Sequence, residues 1–151
     1  MTTTIAISVD RVLESIYASA AIDTLNNPSA RACIVCRDDA PALSRLVRNS
    51  AAAIIFALTP PVSSSNLSDL RYDGDIITVD IDLPDDVAGR LSGSIRPLFE
   101  SALAYQVLGI LWTGKDSHLG AMYLSMAAEA LASLRRRFSA PGKPGFIAPA
   151  A

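Results

Sequence analysis

Four short constellations in this sequence have residue types that could do chemistry. Cys33-Ile34-Val35-Cys36 has the C-x-x-C spacing of redox dithiols and of half a zinc site. Zinc fails on ligand count, because the chain has two cysteines in all and His118 is its one histidine. A redox dithiol calls for a thioredoxin-like strand-to-helix context, which the flanking residues do not supply. The isoleucine and valine between the cysteines point instead to small buried side chains.

Asp116, Ser117 and His118 are the residue types of a hydrolase triad, but they are consecutive. Neighbours on a helix point apart, so no nucleophile–base–orienter relay can form. Asp116 or Ser117 is expected to cap a helix, with His118 facing solvent. Six aspartates between Asp73 and Asp86 raise calcium, yet Asp73-Gly74-Asp75 lacks the alternating ligands and closing glutamate of an EF-hand loop. Those aspartates read as an acidic strand face followed by helix-start carboxylates. Arg135-Arg136-Arg137 ends the last helix, where cations complement the negative dipole end. The same cluster can contact an acidic surface such as the aspartate strand of a neighbour. Because no acid, base, nucleophile or metal set converges, the expectation is a non-enzyme with no cofactor and no metal.

The elements that carry these residues centre on Pro84 to Phe138, read as two long helices joined by a tight turn. Pro84, Asp85 and Asp86 suit a helix start. Val87, Leu91, Ile95, Leu98, Ala102 and Tyr105 then recur on one face, with a kink or break expected near Ser94 to Pro97. From Leu98 to Trp112 the chain is apolar on nearly every side, as in a helix that is central in its domain or shared with a neighbour. Gly114 suits the end of that helix. Leu119, Met122, Tyr123, Met126, Ala127, Ala130, Leu131 and Leu134 form the expected buried face of the next, and so short a turn makes the two helices antiparallel neighbours.

Upstream, Ser8 or Asp10 opens a helix with the stripe Val9, Val12, Leu13, Ile16, Tyr17 and Ala20, ended by Asn26-Asn27-Pro28. A second helix starts near Asp38 or Asp39, buries Leu43, Leu46, Val47, Ser50, Ile54, Ala57 and Leu58, and stops at Pro60-Pro61. VSSSNLSDLRYDG reads as an exposed loop. Residues 75–83 are the one clear strand, with Ile77, Val79, Ile81 and Leu83 alternating against Thr78, Asp80 and Asp82. That strand needs a partner from residues 1–8, from 32–36 or from another subunit. The fold class expected is all-α or mainly α: a helical bundle built on a C-terminal antiparallel helix hairpin, with a minor β-strand element. Residues 1–138 form a single domain and residues 139–151 a proline-rich flexible tail.

The chain has 151 residues, 50% of them hydrophobic, and a net charge of −2, so a real core is expected and nucleic acid is not. The start, MTTTIAISVD, lacks the cationic flank and long apolar run of a secretory signal. No segment suits a membrane span. With so few cysteines, the cytoplasm is the simplest location.

The hairpin resembles the closing part of the small head–tail connector (adaptor) proteins of tailed phages and prophages. The residues that carry the likeness are SALAYQVLGILW at 101–112, the acidic turn TGKDS, Tyr123 about one turn into the second helix, and the closing ALASLRRRF. The likeness covers about a third of the chain and includes no diagnostic motif. It implies a ring-forming structural subunit between portal and tail, in the host cytoplasm before assembly and in the virion afterwards, with no catalytic residues. The expected partners are further copies of the chain (a homo-oligomer) and portal or tail proteins. Interface candidates are Ile77, Val79, Ile81, Tyr105, Leu108, Trp112, Arg135, Arg136 and Arg137. The alternative is a small helical regulatory module whose apolar groove takes a peptide or ligand.

Overall fold

A computed structural model describes residues 2–26, 37–62, 67–82 and 95–138. Among these, the order is β1 (Thr2–Ser8), α1 (Val9–Asn26), a 3-10 turn (Arg37–Asp39), α2 (Ala40–Val62), β2 (Leu67–Asp73), β3 (Ile76–Asp82), α3 (Ile95–Thr113) and α4 (Ser117–Phe138). The protein is mainly helical, with a three-stranded antiparallel sheet in the order β1-β3-β2 among the described residues. The C-x-x-C pair, the expected helix start at Pro84 and the proline-rich tail lie outside the described residues.

The strand expected at 75–83 is β3, and it sits in the middle of the sheet. Of its expected partners, the 1–8 segment supplies β1, with Ile5 opposite Val79 and Ile7 opposite Ile77. Its other neighbour is a correction: Leu67–Asp73, read from sequence as loop, is β2. Period-two alternation is broken in that stretch, and the register shift between Leu67 and Asp69 explains why. The irregularity brings Leu67, Leu70 and Tyr72 opposite Ile81, Val79 and Ile77. Gly74-Asp75 closes the hairpin, and Gly74 has a φ of 62°, the left-handed value that a tight two-residue turn requires at its first position.

Ser8 links sheet to helix. Its side-chain oxygen accepts the Arg11 N–H at 3.3 Å, an N-cap bond for α1. The Val9 N–H donates to the Asp75 carbonyl at 2.8 Å, extending the β1–β3 ladder. In such a ladder alternate residues bond in opposite directions, so the Ser8 N–H points away from β3. It donates to Glu100 of α3 at 3.1 Å.

The core is continuous. The stripe of α1 is as expected, with Val9, Val12, Leu13, Ile16 and Ala20 buried. α3 is the most buried helix among the described residues, through Phe99, Leu103, Val107, Leu108 and Trp112, and leaves Ile110 exposed. It touches α1, α2, α4 and β1, so the sheet covers the side that three helices leave open. α3 begins at Ile95, within the stretch where a kink or break is expected, so Pro97 lies in its first turn, where N–H groups have no intrahelical acceptor.

α2 runs past its expected stop and includes Pro60 and Pro61. Pro61 lacks the N–H that would bond the Ala57 carbonyl. Arg135 of α4 donates to that carbonyl instead, at 3.1 Å. On α4, Tyr123, Ala127, Ala130 and Leu134 are buried, whereas Met122, expected in the buried face, is 42% exposed.

Candidate functional site

The turn between α3 and α4 is a capping structure. Asp116 Oδ1 accepts the Leu119 N–H at 3.1 Å, and the Lys115 and Asp116 N–H groups donate to the Trp112 carbonyl at 2.9 and 2.7 Å. Ser117 and His118 are exposed beside it. Among the described residues, no three His, Cys, Asp or Glu side chains are grouped so as to hold a metal ion.

Of the interface candidates, Ile77, Val79, Leu108 and Trp112 lie in the core at 0–1% exposure and cannot meet a partner without unfolding. β1 and the other helices cover these four residues, while Ile110 on the same helix stays 43% exposed. Tyr105 is half-buried and stacks on Tyr123 with ring centroids 6.3 Å apart. The main chain of Ile81 pairs with both Thr3 and Leu67. Arg135, Arg136 and Arg137 are exposed in the last turn of α4, where Arg136 donates to the Ser133 hydroxyl at 3.0 Å.

Sequence reading missed two polar groupings. The first joins α1 to the helical hairpin, where the Tyr123 hydroxyl donates to the Asp23 carboxylate. Burial, followed by that hydrogen bond and the Asp23 charge, pushes the Tyr123 phenol well above its ordinary range. The aromatic positions were legible in sequence, but the partner 100 positions earlier was not.

The second grouping is acidic. Asp10, Leu13, Glu14, Tyr17 and Ala40 line an open depression of about 340 Å³ between α1 and the start of α2. Asp75 in the hairpin turn lies against Asp10. Its hydrogen bond and negative charge, with lesser contributions from desolvation and Glu14, push the Asp10 carboxyl above the usual carboxylate range. Two cations lie close by: Arg11 pairs with Glu100 at 3.4 Å, and Arg48 donates to the Gly74 carbonyl, next to Asp75, at 2.6 Å. In sequence, Asp10 read as a helix-start residue and Tyr17 as part of the apolar stripe. Nothing local showed that the β2–β3 turn would bring Asp75 beside them.

No family model, curated protein or solved structure matches the chain. Among the described residues, no helix is long and apolar enough to cross a membrane.

Proposed function

We propose that this chain is a structural subunit resembling phage or prophage head–tail connectors, acting by self-association and by docking between portal and tail rather than by catalysis. The observation that carries the reading is the antiparallel α3–α4 hairpin. Its residues 101–112, acidic turn, Tyr123 and closing arginines are those on which the resemblance rests, and they form one continuous unit. In this reading the hairpin is the rigid body of the subunit. Its partners meet the outer surface of the hairpin, where the arginines of α4 and the apolar Ile110, Met122 and Leu124 are exposed. The subunit resides in the host cytoplasm until assembly. The competing peptide-binding module needs an apolar groove, whereas the depression on α1 is rimmed by carboxylates and suits a cation better.

The test is binding to the portal protein encoded beside this chain. Co-purification as a defined complex, visible as added density on the portal ring by electron microscopy, supports the connector. Absence of portal and tail genes nearby, or no binding to the purified portal ring, sinks it.

A further inference from the structure

We infer that the outer face of α1, from Ala18 to Leu25, forms a two-fold contact with the same face of a second copy of this chain. The inference is independent of the connector reading, because this face is separate from the hairpin on which that reading rests.

α1 has two apolar stripes. Val9, Val12, Leu13 and Ile16 face the core. Ala18, Ala21, Ile22 and Leu25 repeat the same i, i+3, i+4, i+7 spacing about two and a half turns later, which puts them on the opposite face. All four are exposed, Ile22 at 57% and Leu25 at 84%. Earlier on that outer side the chain is charged, with Arg11 and Glu14, and the change to apolar follows Ser15. Large apolar side chains gathered on a solvent face in this way mark an interaction site.

Size and charge both select a second copy as the occupant. When two such helices pack antiparallel about a two-fold axis between positions 21 and 22, Ala18 meets the partner's Leu25 and Ala21 meets the partner's Ile22. Each large side chain then lies over an alanine, so the stripe is its own complement. Charge agrees with this. From residue 15 to residue 26 Asp23 is the one charged side chain, and its carboxylate accepts the Tyr123 hydroxyl. Like therefore meets like without repulsion, and a charged partner would find nothing on the stripe to pair with. The stripe offers less than the roughly 800 Å² per partner of a stable interface, so the dimer is weak and depends on concentration.

Sedimentation equilibrium and NMR dilution of the full chain test this. Near 1 mM, the weak end of the affinity scale, roughly half or more of the wild type should be dimeric. Dilution should move the amide signals of Ala18, Ala21, Ile22 and Leu25 most. Ala18→Lys and, separately, Leu25→Glu should each weaken dimerisation at least about tenfold, since each buries a charge against an apolar side chain. An equimolar mixture of the two should restore a dimer, because the new lysine then faces the new glutamate and the other contact is Ala18 with Leu25 as before. Both positions are exposed in the monomer, and circular dichroism checks that folding is kept; Leu25→Ala replaces a variant that unfolds. A wild type still monomeric near 1 mM overturns the proposal. So does a dimer that folded variants leave intact, that mixing does not restore, or whose dilution shifts fall on Ile110, Met122 and Leu124 instead. Dimerisation through α1 without portal binding leaves this contact standing and removes the connector reading. Portal binding by a chain that stays monomeric alone does the reverse.

Discussion

Arg135 of α4 supplies the hydrogen bond that Pro61 cannot give to the Ala57 carbonyl of α2. Helical geometry assigns that carbonyl to the N–H four residues on, which proline lacks. The first of the three closing arginines is thus tied to the fold, and its neighbours project from an anchored turn. Arg135→Ala should cost about 1 kcal/mol, against near zero for Arg136→Ala, whose exposed guanidinium meets only the Ser133 hydroxyl of its own helix. Pro61→Ala restores the missing donor, so the Arg135→Ala penalty should shrink in that background. Urea denaturation of the four members of this cycle measures the coupling, and strict additivity would show that the two residues act separately.

Tyr123 should make stability fall at alkaline pH. Its folded-state phenol is pushed above the ordinary value of 10.0, so its contribution is complete below that pH and is lost as pH rises beyond it. Tyr123→Phe should cost about 1 kcal/mol at pH 7 by leaving Asp23 without its donor. The variant should also lose less stability than the wild type between neutral pH and about pH 11. Parallel alkaline profiles for the two proteins would contradict the assignment.

The Asp10–Asp75 contact predicts the opposite acid behaviour from a salt-bridged carboxylate. Because the folded Asp10 carboxyl is raised above 3.8, the folded state binds the extra proton, and stability from this group falls as pH rises through that window. Asp75→Asn removes the like charge and keeps a hydrogen-bonding side chain. It should raise the thermal midpoint at neutral pH, with the gain fading as pH falls through the raised folded value toward 3.8. NMR titration of Asp10 should show its carboxyl moving down in the variant.

Two glycines hold the hairpin closed, and alanine should separate them. A Cβ on Gly120 would lie 2.8 Å from the Thr113 backbone nitrogen, so the turn itself must open. On Gly109 the nearest atoms, at 2.6 Å, belong to the Leu124 side chain, which is 36% exposed and can turn aside. Gly120→Ala should cost about 1–3 kcal/mol. Gly109→Ala should cost less, since its nearest contact is a movable side chain, while the helix-propensity gain of up to about 1 kcal/mol is available to both. Equal losses in thermal melts would show that Leu124 is as fixed as the backbone.

The helical part of this fold was legible because its signals are local. The stripe from Val9 to Ala20, the Asp116 cap and the closing turn of α4 need only near neighbours, and all are found. What escaped depended on distant partners. β2 was hidden by its register shift, which breaks the alternation that sequence reading uses. The Pro60-Pro61 stop was overridden by an arginine far along the chain. Leu108 and Trp112 were assigned to an interface because nothing local indicates that β1 would reach α3. The acidic depression was likewise invisible, since Asp10 and Asp75 meet only when the sheet forms.

The pairing of Thr2 with Asp82 has a consequence for how the chain is made. β1 is synthesised first, yet its partner strand follows α1 and α2, and the Glu100 acceptor for Ser8 comes later still. Ile5 and Ile7, both core residues, therefore have no sheet to join until β3 has left the ribosome. The helices can form as they emerge, but closing so long a loop is slow relative to helix growth. A nascent chain halted before β3 should expose its first strand to chaperones, and release of the α3–α4 hairpin should end that exposure.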